Sequence, residues 1–270
     1  DGALDAYRAY VLVGDHLTRR AAQALKEWVG RGGCLIAVAG GGLRDEYDRP
    51  LETLNEVFGI AGNVLRKEAF ALRPKLELLH VKPLDTIAFA GGPLPAYGFR
   101  QSFTPAGGTV LGTFTNGEAA AVAHAYGKGR ALIVGALPGA AYLAGAFPIR
   151  PFGRGGEDLS QALYPDCRAG VRDLLMTLIG PEPEWSPVVC DQPLVEAHAL
   201  ADAAGRVTLV SLVNFSGKPL KAVTVTLNSG VVGPILGAEA AFARARIDAR
   251  GGRCAVTLPL DKFDLLTLQR

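Results

Sequence analysis

Two short polar segments hold the side chains whose types and spacing could do chemistry. Gly14-Asp15-His16 closes an apolar run that begins at Tyr10, and Arg44-Asp45-Glu46-Tyr47 follows the run Cys34 to Ala39 and three consecutive glycines, Gly40 to Gly42. His16 with Asp45 or Glu46 supplies the parts of an acid/base pair, which makes these three the candidate catalytic residues. Asp15, Arg44 and Tyr47, with Tyr142 after a later apolar run, are the candidate ligand-binding residues and suit a small molecule such as a sugar. In open parallel sheets ligands sit beyond the carboxyl ends of the strands, where all three segments, including Pro138 to Tyr142, would fall. The competing reading is structural. Asp15 would cap the next helix, Arg44 would pair with a neighbouring acid, and the cluster would close a sheet edge or meet another subunit. His80, His124 and His198 each stand alone in apolar, strand-like contexts and read as interior or edge histidines.

A strand, a glycine turn and a helix begin several kinds of catalytic and nucleotide site, each with its own requirement. The dinucleotide pattern G-x-G-x-x-G is met by Gly40 and Gly42, but Asp45 stands at the third glycine's place, where a carboxylate would repel a pyrophosphate. The triphosphate loop fails because no Lys-Ser or Lys-Thr follows. A nucleophile elbow needs Ser or Cys at its apex, and here Gly41 or Gly42 occupies it, while Cys34 lies at the start of the strand. No cofactor is expected, and no catalytic triad runs through this turn.

The elements that would position these residues follow from periodicity. The apolar run Tyr10 to Gly14 reads as a strand. In LTRRAAQALKEWVGRGG, the residues Ala21, Leu25, Trp28 and Val29 share a helical face, with Thr18 as N-cap and Gly30 past the end. CLIAVAG reads as a second, parallel strand, and PLETLNEVFG as a short helix with Pro50 in its first turn. From Ile60 to Phe114 the pattern weakens to alternating pieces such as KLELLHV and TVLGTF. Two apolar runs around Gly127-Lys128-Gly129 predict a hairpin whose second arm returns to the sheet. CRAGVRDLLMTLIG has helical spacing. The segment FPIRPFGRGGEDLSQALYPD reads as an exposed loop, and GPEPEWSP as a linker between domains at 1–183 and 188–270. Beyond it, short strand-like runs such as KAVTVTLN alternate in polarity and predict a small antiparallel β-sandwich. The only aromatics beyond Pro187 are Phe215, Phe242 and Phe263, at core-like positions, so an autonomous carbohydrate-binding surface is not expected.

Composition narrows the classes further. Twenty-eight basic and 26 acidic residues, interspersed along 270 positions, leave a formal charge of +2 and no footprint for nucleic acid or an anionic membrane. No apolar run nears the roughly 18 residues of a spanning helix, so a soluble protein, cytoplasmic or secreted, is expected. Cys34, Cys167, Cys190 and Cys254 are too scattered for a zinc site or a disulfide framework and read as buried thiols, and no metal is expected.

The series YRAYVLVGDHLTRRAAQALKEWVGRGGCLIAVAGGGLRDEY, followed by YGKGRALIVGALPG, resembles the glutamine-amidotransferase-like trimerisation domain of family 42 β-galactosidases. The tail, with RVTLVSLVNFSGKPLKAVTVTL and CAVTLPLDKFDLLTLQ, is similar to the small β-sandwich that closes those enzymes. The resemblance implies an α/β, flavodoxin-like parallel-sheet domain of the class I amidotransferase type, with its nucleophile lost and its first strand and helix absent before Asp1, followed by the β-sandwich. It implies a non-catalytic part of a glycoside hydrolase that serves in homo-oligomerisation, as a trimer. The paired glutamates of those galactosidases lie on a (β/α)8 barrel for which this chain has no room. The alternative is a stand-alone enzyme or sugar-binding protein using the Asp15, His16, Asp45 and Glu46 crevice.

Overall fold

The computed structural model describes residues 2–68, 82–143, 174, 176, 186–250 and 253–270. They fall into two compact units, one within Asp1–Ala144 together with residues 174 and 176, and the other within Gly180–Arg270. The KLELLHV segment with His80, the loop over 147–166 and Cys167 lie outside the described residues, as do nearly all of the helix expected over 167–180 and most of the linker.

The first unit opens with a 3-10 turn, Ala3–Ala6, and then β1 (Ala9–Leu12), α1 (Arg19–Arg31) and β2 (Cys34–Ala37). Thr18 caps α1 as expected, its hydroxyl accepting from Ala21 N at 3.1 Å. The helix runs one turn-step further than Gly30 and ends on Gly32, and the small residue it buries with Leu25, Trp28 and Val29 is Ala22, not Ala21. β1 and β2 pair in parallel, Leu12 opposite Ala37. The next helix, α2 (Asn55–Phe58), has only four residues and stops at Gly59 in the left-handed region. The elements that follow among the described residues are the strands β3 (Ile60–Lys67), β4 (Asp85–Phe89), β5 (Leu94–Ala96), β6 (Phe99–Pro105), β7 (Thr109–Thr113), β8 (Ala119–Tyr126) and β9 (Gly129–Val134), and then α3 (Pro138–Leu143).

These strands make one curled, mixed sheet in the order β1-β2-β9-β8-β7-β4-β5, with β6 pairing β8 and β3 pairing β6. The flavodoxin-like, amidotransferase-type parallel sheet implied by the resemblance is therefore not what forms. Among the described residues only β1, β2 and β9 run parallel to one another, and every other pairing is antiparallel. The physical reason is connection length. A parallel neighbour needs a crossover of a dozen or more residues, whereas β8 and β9 are joined by the expected tight Gly127-Lys128 turn, which forces them antiparallel.

Alternation across the parallel strands divides the core. Leu35, Ala37, Ala131 and Ile133 join α1 and α2 on one face, while Ile36, Leu132 and Val134 pack with Ile87, Leu94 and Phe114 on the other. In the antiparallel half, Asp85 of β4 accepts from Arg100 Nε of β6 at 2.8 Å and from the Thr115 hydroxyl at 2.7 Å, and Arg100 also reaches Glu118 and lies 4.0 Å above the Phe114 ring. Burial opposes ionisation of Asp85, but these donors outweigh it and hold its pKa at about 2.

The second unit is the expected antiparallel sandwich. It contains β10 (Val188–Cys190), β11 (Val195–Ala201), β12 (Val207–Asn214), β13 (Leu220–Asn228), the single turn α4 (Ser229–Val232), β14 (Gly237–Ala240), β15 (Arg246–Arg250), β16 (Arg253–Leu260) and β17 (Phe263–Gln269). Two four-stranded sheets, β10-β13-β16-β15 and β11-β12-β17-β14, share a core of Val223, Val225, Val256, Leu258, Leu212 and Leu266. Its aromatics contradict the sequence reading. Phe215, Phe242 and Phe263 are 38%, 68% and 56% exposed, so none is a core residue. On β17 the inward places go to Asp264, Leu266 and Leu268. An acid is tolerated inside because its Oδ1 accepts from the backbone N–H groups of Ala241, Phe242 and Leu265 at 2.7–3.1 Å.

Two stability experiments follow. The folded pKa of Asp85 lies below its ordinary value of 3.8, so its stabilisation is complete above that value and is lost as pH falls through about 2. Urea unfolding should find Asp85→Asn weaker by about 2 kcal/mol at pH 7, with the gap to wild type closing toward pH 2. In the sandwich, Asp264→Ala removes the acceptor shared by three backbone N–H groups, of which Ala241 N keeps Leu265 O, and denaturant titration should show a loss of about 2 kcal/mol.

Candidate functional site

The glycine turn that precedes the second polar segment is closed to ligands by its own hydrogen bonds. Val38 N donates to Leu12 O, Ala39 N to Ala136 O, Gly41 N to Val38 O and Gly42 N to Gly14 O, and Gly40 N donates to Gln101 Oε1 at 2.8 Å. With all five amides engaged inside the protein, the turn offers no cradle for phosphate or an oxyanion. Its glycines answer to packing. A Cβ on Gly41 would stand 2.8 Å from Leu12 O and 3.0 Å from Val38 O, and Gly40 and Gly42 have φ of +85° and +65°.

Beyond the turn the candidate residues form two neighbouring groups. In the first, His16 lies between two carboxylates, Nδ1 3.0 Å from Asp15 Oδ1 and Nε2 3.2 Å from Asp48 Oδ1. Arg44 N donates to Asp15 O at 2.8 Å, and the Arg44 guanidinium donates to Asp48 O at 2.8 Å. Lys67 Nζ reaches the other oxygen of Asp15 at 2.7 Å. The hydrogen bonds from Lys67 and then His16 hold the Asp15 pKa at about 2.

The second group gathers on the start of α1. Asp45, with no exposed surface, accepts from Arg19 Nε at 2.7 Å and from the backbone N–H groups of Tyr47 and Arg49 at 2.9 Å. Burial works against its charge, yet the two backbone donors and Arg19 together lower its pKa. Glu46 accepts from Arg19 N, the first amide of α1, at 2.9 Å, a carboxylate placed where the helix dipole favours one. Tyr47 is 69% exposed, with the Arg19 and Arg49 guanidinium groups 6.0 Å from its ring. His16 thus meets Asp15 and Asp48, and Asp45 and Glu46 meet Arg19. Tyr142 belongs to neither group and packs against the core face that contains Phe114. His124 is half-buried, its Nδ1 3.1 Å from Val57 O, and His198 is exposed beside Glu196.

A cleft of about 600 Å³ opens beside the first group, with Asp15, Arg44, Glu52, Asn55, Asn63 and Lys67 on its walls. Four of these six escaped the sequence reading. Asn63 and Lys67 arrive on β3, whose pairing with β6 has no sequence signal, and Glu52 and Asn55 come from a segment read as plain helix. Behind Asn63 stands Gln101, fully buried, whose Nε2 donates to Asn63 Oδ1 at 2.9 Å. Asp48, with a φ of +60°, was legible as a turn residue before Arg49-Pro50 but not as a partner of His16.

The fold and this geometry can be set beside known proteins. Residues 4–147 match the family model described as the β-galactosidase trimerisation domain. The chain belongs to that family. Among solved structures it is similar to the β-galactosidase from Bacillus circulans sp. alkalophilus, with 15% identity, a TM-score of 0.56 and coverage of 98% of this chain and 34% of that one. The β-galactosidase from Rahnella sp. R3 gives 17% identity, a TM-score of 0.57 and coverage of 98% and 33%. A catalytic mutant of a GH42 β-galactosidase from G. stearothermophilus gives 16%, 0.56, and 97% and 32%. This trimerisation-domain chain thus spans about a third of the length of the structures it matches, and both its units are covered. No curated protein matches it.

The turn itself provides a test. Gly41→Ala should lower stability by about 2 kcal/mol in thermal or denaturant unfolding, because the new Cβ meets two carbonyl oxygens that cannot rotate away.

Proposed function

We propose that this chain is a non-catalytic assembly module of a β-galactosidase-like glycoside hydrolase and that it associates as a homotrimer. The observation that carries the reading is the match of residues 4–147 to the trimerisation-domain family. Two features of the site support it. The amides of the glycine turn are used internally, and Asp45 and Glu46 serve to fasten the start of α1. On this reading His16, Asp45 and Glu46 carry no reaction, and Gly41 stands at the apex because no larger residue fits there. The domains are assigned to 1–183 and 188–270, the first of them for assembly.

The surface best suited to self-association is the outer side of β1. Among the described residues this strand has one sheet neighbour, β2, so its other edge keeps free backbone donors and acceptors. Tyr7, Tyr10, Val11 and Val13 are exposed beside it, an apolar stripe at 64%, 38%, 50% and 68%.

Multi-angle light scattering at micromolar concentration should find three times the chain mass, and Val13→Glu should shift the protein to monomer while its circular dichroism is unchanged. A wild-type monomer would overturn the assembly role; a trimer indifferent to Val13→Glu would move the interface away from β1.

A further inference from the structure

The cleft beside Asp15 is more than a gap between side chains, because the buried hydrogen bonds behind it fix what one wall presents. Gly40 N–H can only donate, so the Gln101 carboxamide must turn Oε1 toward it and Nε2 toward Asn63. Asn63 must then accept through Oδ1, which leaves its own Nδ2 as the group available to a ligand. Asn55 and Glu52, on the facing segment, have side chains with no hydrogen-bond partner among the described residues, and Asp15 and Lys67 complete the wall as an ion pair. We propose that this cleft binds a small uncharged polyhydroxylated molecule, of mono- or disaccharide size, through Asn63, Asn55 and Glu52.

The ligand class follows from charge and valence. Among the described residues the lining carries two carboxylates, Asp15 and Glu52, and two cations, Arg44 and Lys67, which balance in charge. A phosphate would meet the two carboxylates, and a divalent cation would meet the two bases. What fits is a molecule whose groups both donate and accept, and hydroxyls do both. An amide donor on one wall and a free carboxylate and carboxamide on the other give a hydroxyl-bearing ring partners on two sides. Leu43, Leu51 and Leu65 supply apolar surface for its C–H groups, and a cleft of about 600 Å³ is of a size for one or two sugar rings. With no aromatic ring among the described lining residues to stack against, the affinity is weak, on the order of millimolar.

The inference does not depend on the assembly role, since every group belongs to one chain and the cleft would be the same in a monomer. The test is saturation-transfer NMR and titration calorimetry of the full chain with galactose, lactose, inorganic phosphate and glycine as probes. The expected result is saturable binding of at least one sugar and none of phosphate or glycine. Asn55→Ala and Asn63→Ala should each weaken sugar binding by roughly three- to tenfold, the loss of one neutral hydrogen bond. Asn55 is partly exposed and holds no buried partner, so its variant decides the matter even if Asn63→Ala disturbs β3. Absence of saturable sugar binding well above millimolar concentration would overturn the proposal. So would binding of phosphate or glycine in place of sugar, or sugar binding unchanged by Asn55→Ala.

Discussion

The first unit hinges on one buried carboxamide. Gln101 has no exposed surface, and three of its polar groups are used across element boundaries: Oε1 holds Gly40 in the turn after β2, Nε2 holds Asn63 on β3, and its backbone N–H donates to Gly135 O beyond β9. The short parallel part of the sheet and the longer antiparallel part are joined at this residue. An unpaired amide at such a site is costly, so a structure that buries Gln101 must keep all three contacts together. The glycine turn can then neither open toward a ligand nor tolerate a side chain. The orientation of Asn63, and with it one wall of the cleft, is a consequence of the same constraint.

The polar residues around the turn divide by a similar logic. Asp45 is buried with four donors around it, and Glu46 lies on the first amide of α1. A carboxylate satisfied as Asp45 is makes a poor proton carrier, because its hydrogen bonds favour the charged form. Asp15, by contrast, is shared between His16 and Lys67 at the edge of an open cleft, where a ligand can compete for or add to its contacts. The chemistry-bearing residue types are present, but the geometry commits most of them to holding the helix and the loop in place. Membership in the trimerisation-domain family is consistent with that division.

In the sandwich the same principle appears as an exchange of sides. Asp264 occupies an inward position on β17 and Phe263 an outward one, because three backbone amides converge on the carboxylate. Phe242 and Phe263 are left outside, edge to face with ring centroids 5.2 Å apart. Among the described residues no buried side-chain polar atom lacks a partner, so the inward acid carries no unmet desolvation cost.

By itself the sequence determined the local elements with strong periodicity: β1, α1 with its Thr18 cap, β2, the β8–β9 hairpin and the alternating strands of the sandwich. It also excluded a nucleophile or phosphate loop at Gly40 to Gly42, because that exclusion needs only residue types. The direction of most of the sheet was decided by tertiary structure, since alternation between 60 and 114 reads alike for parallel and antiparallel strands and the choice depends on which strands meet. The cleft was decided there too. Asn63, Lys67 and Gln101 are distant in sequence from Asp15 and Arg44, and a polar residue within a strand shows its partner only when a neighbouring strand sets the register. The inward turn of Asp264 has the same cause: hydropathy ranks a lone acid against a phenylalanine, whereas the fold counts the amides that reach it.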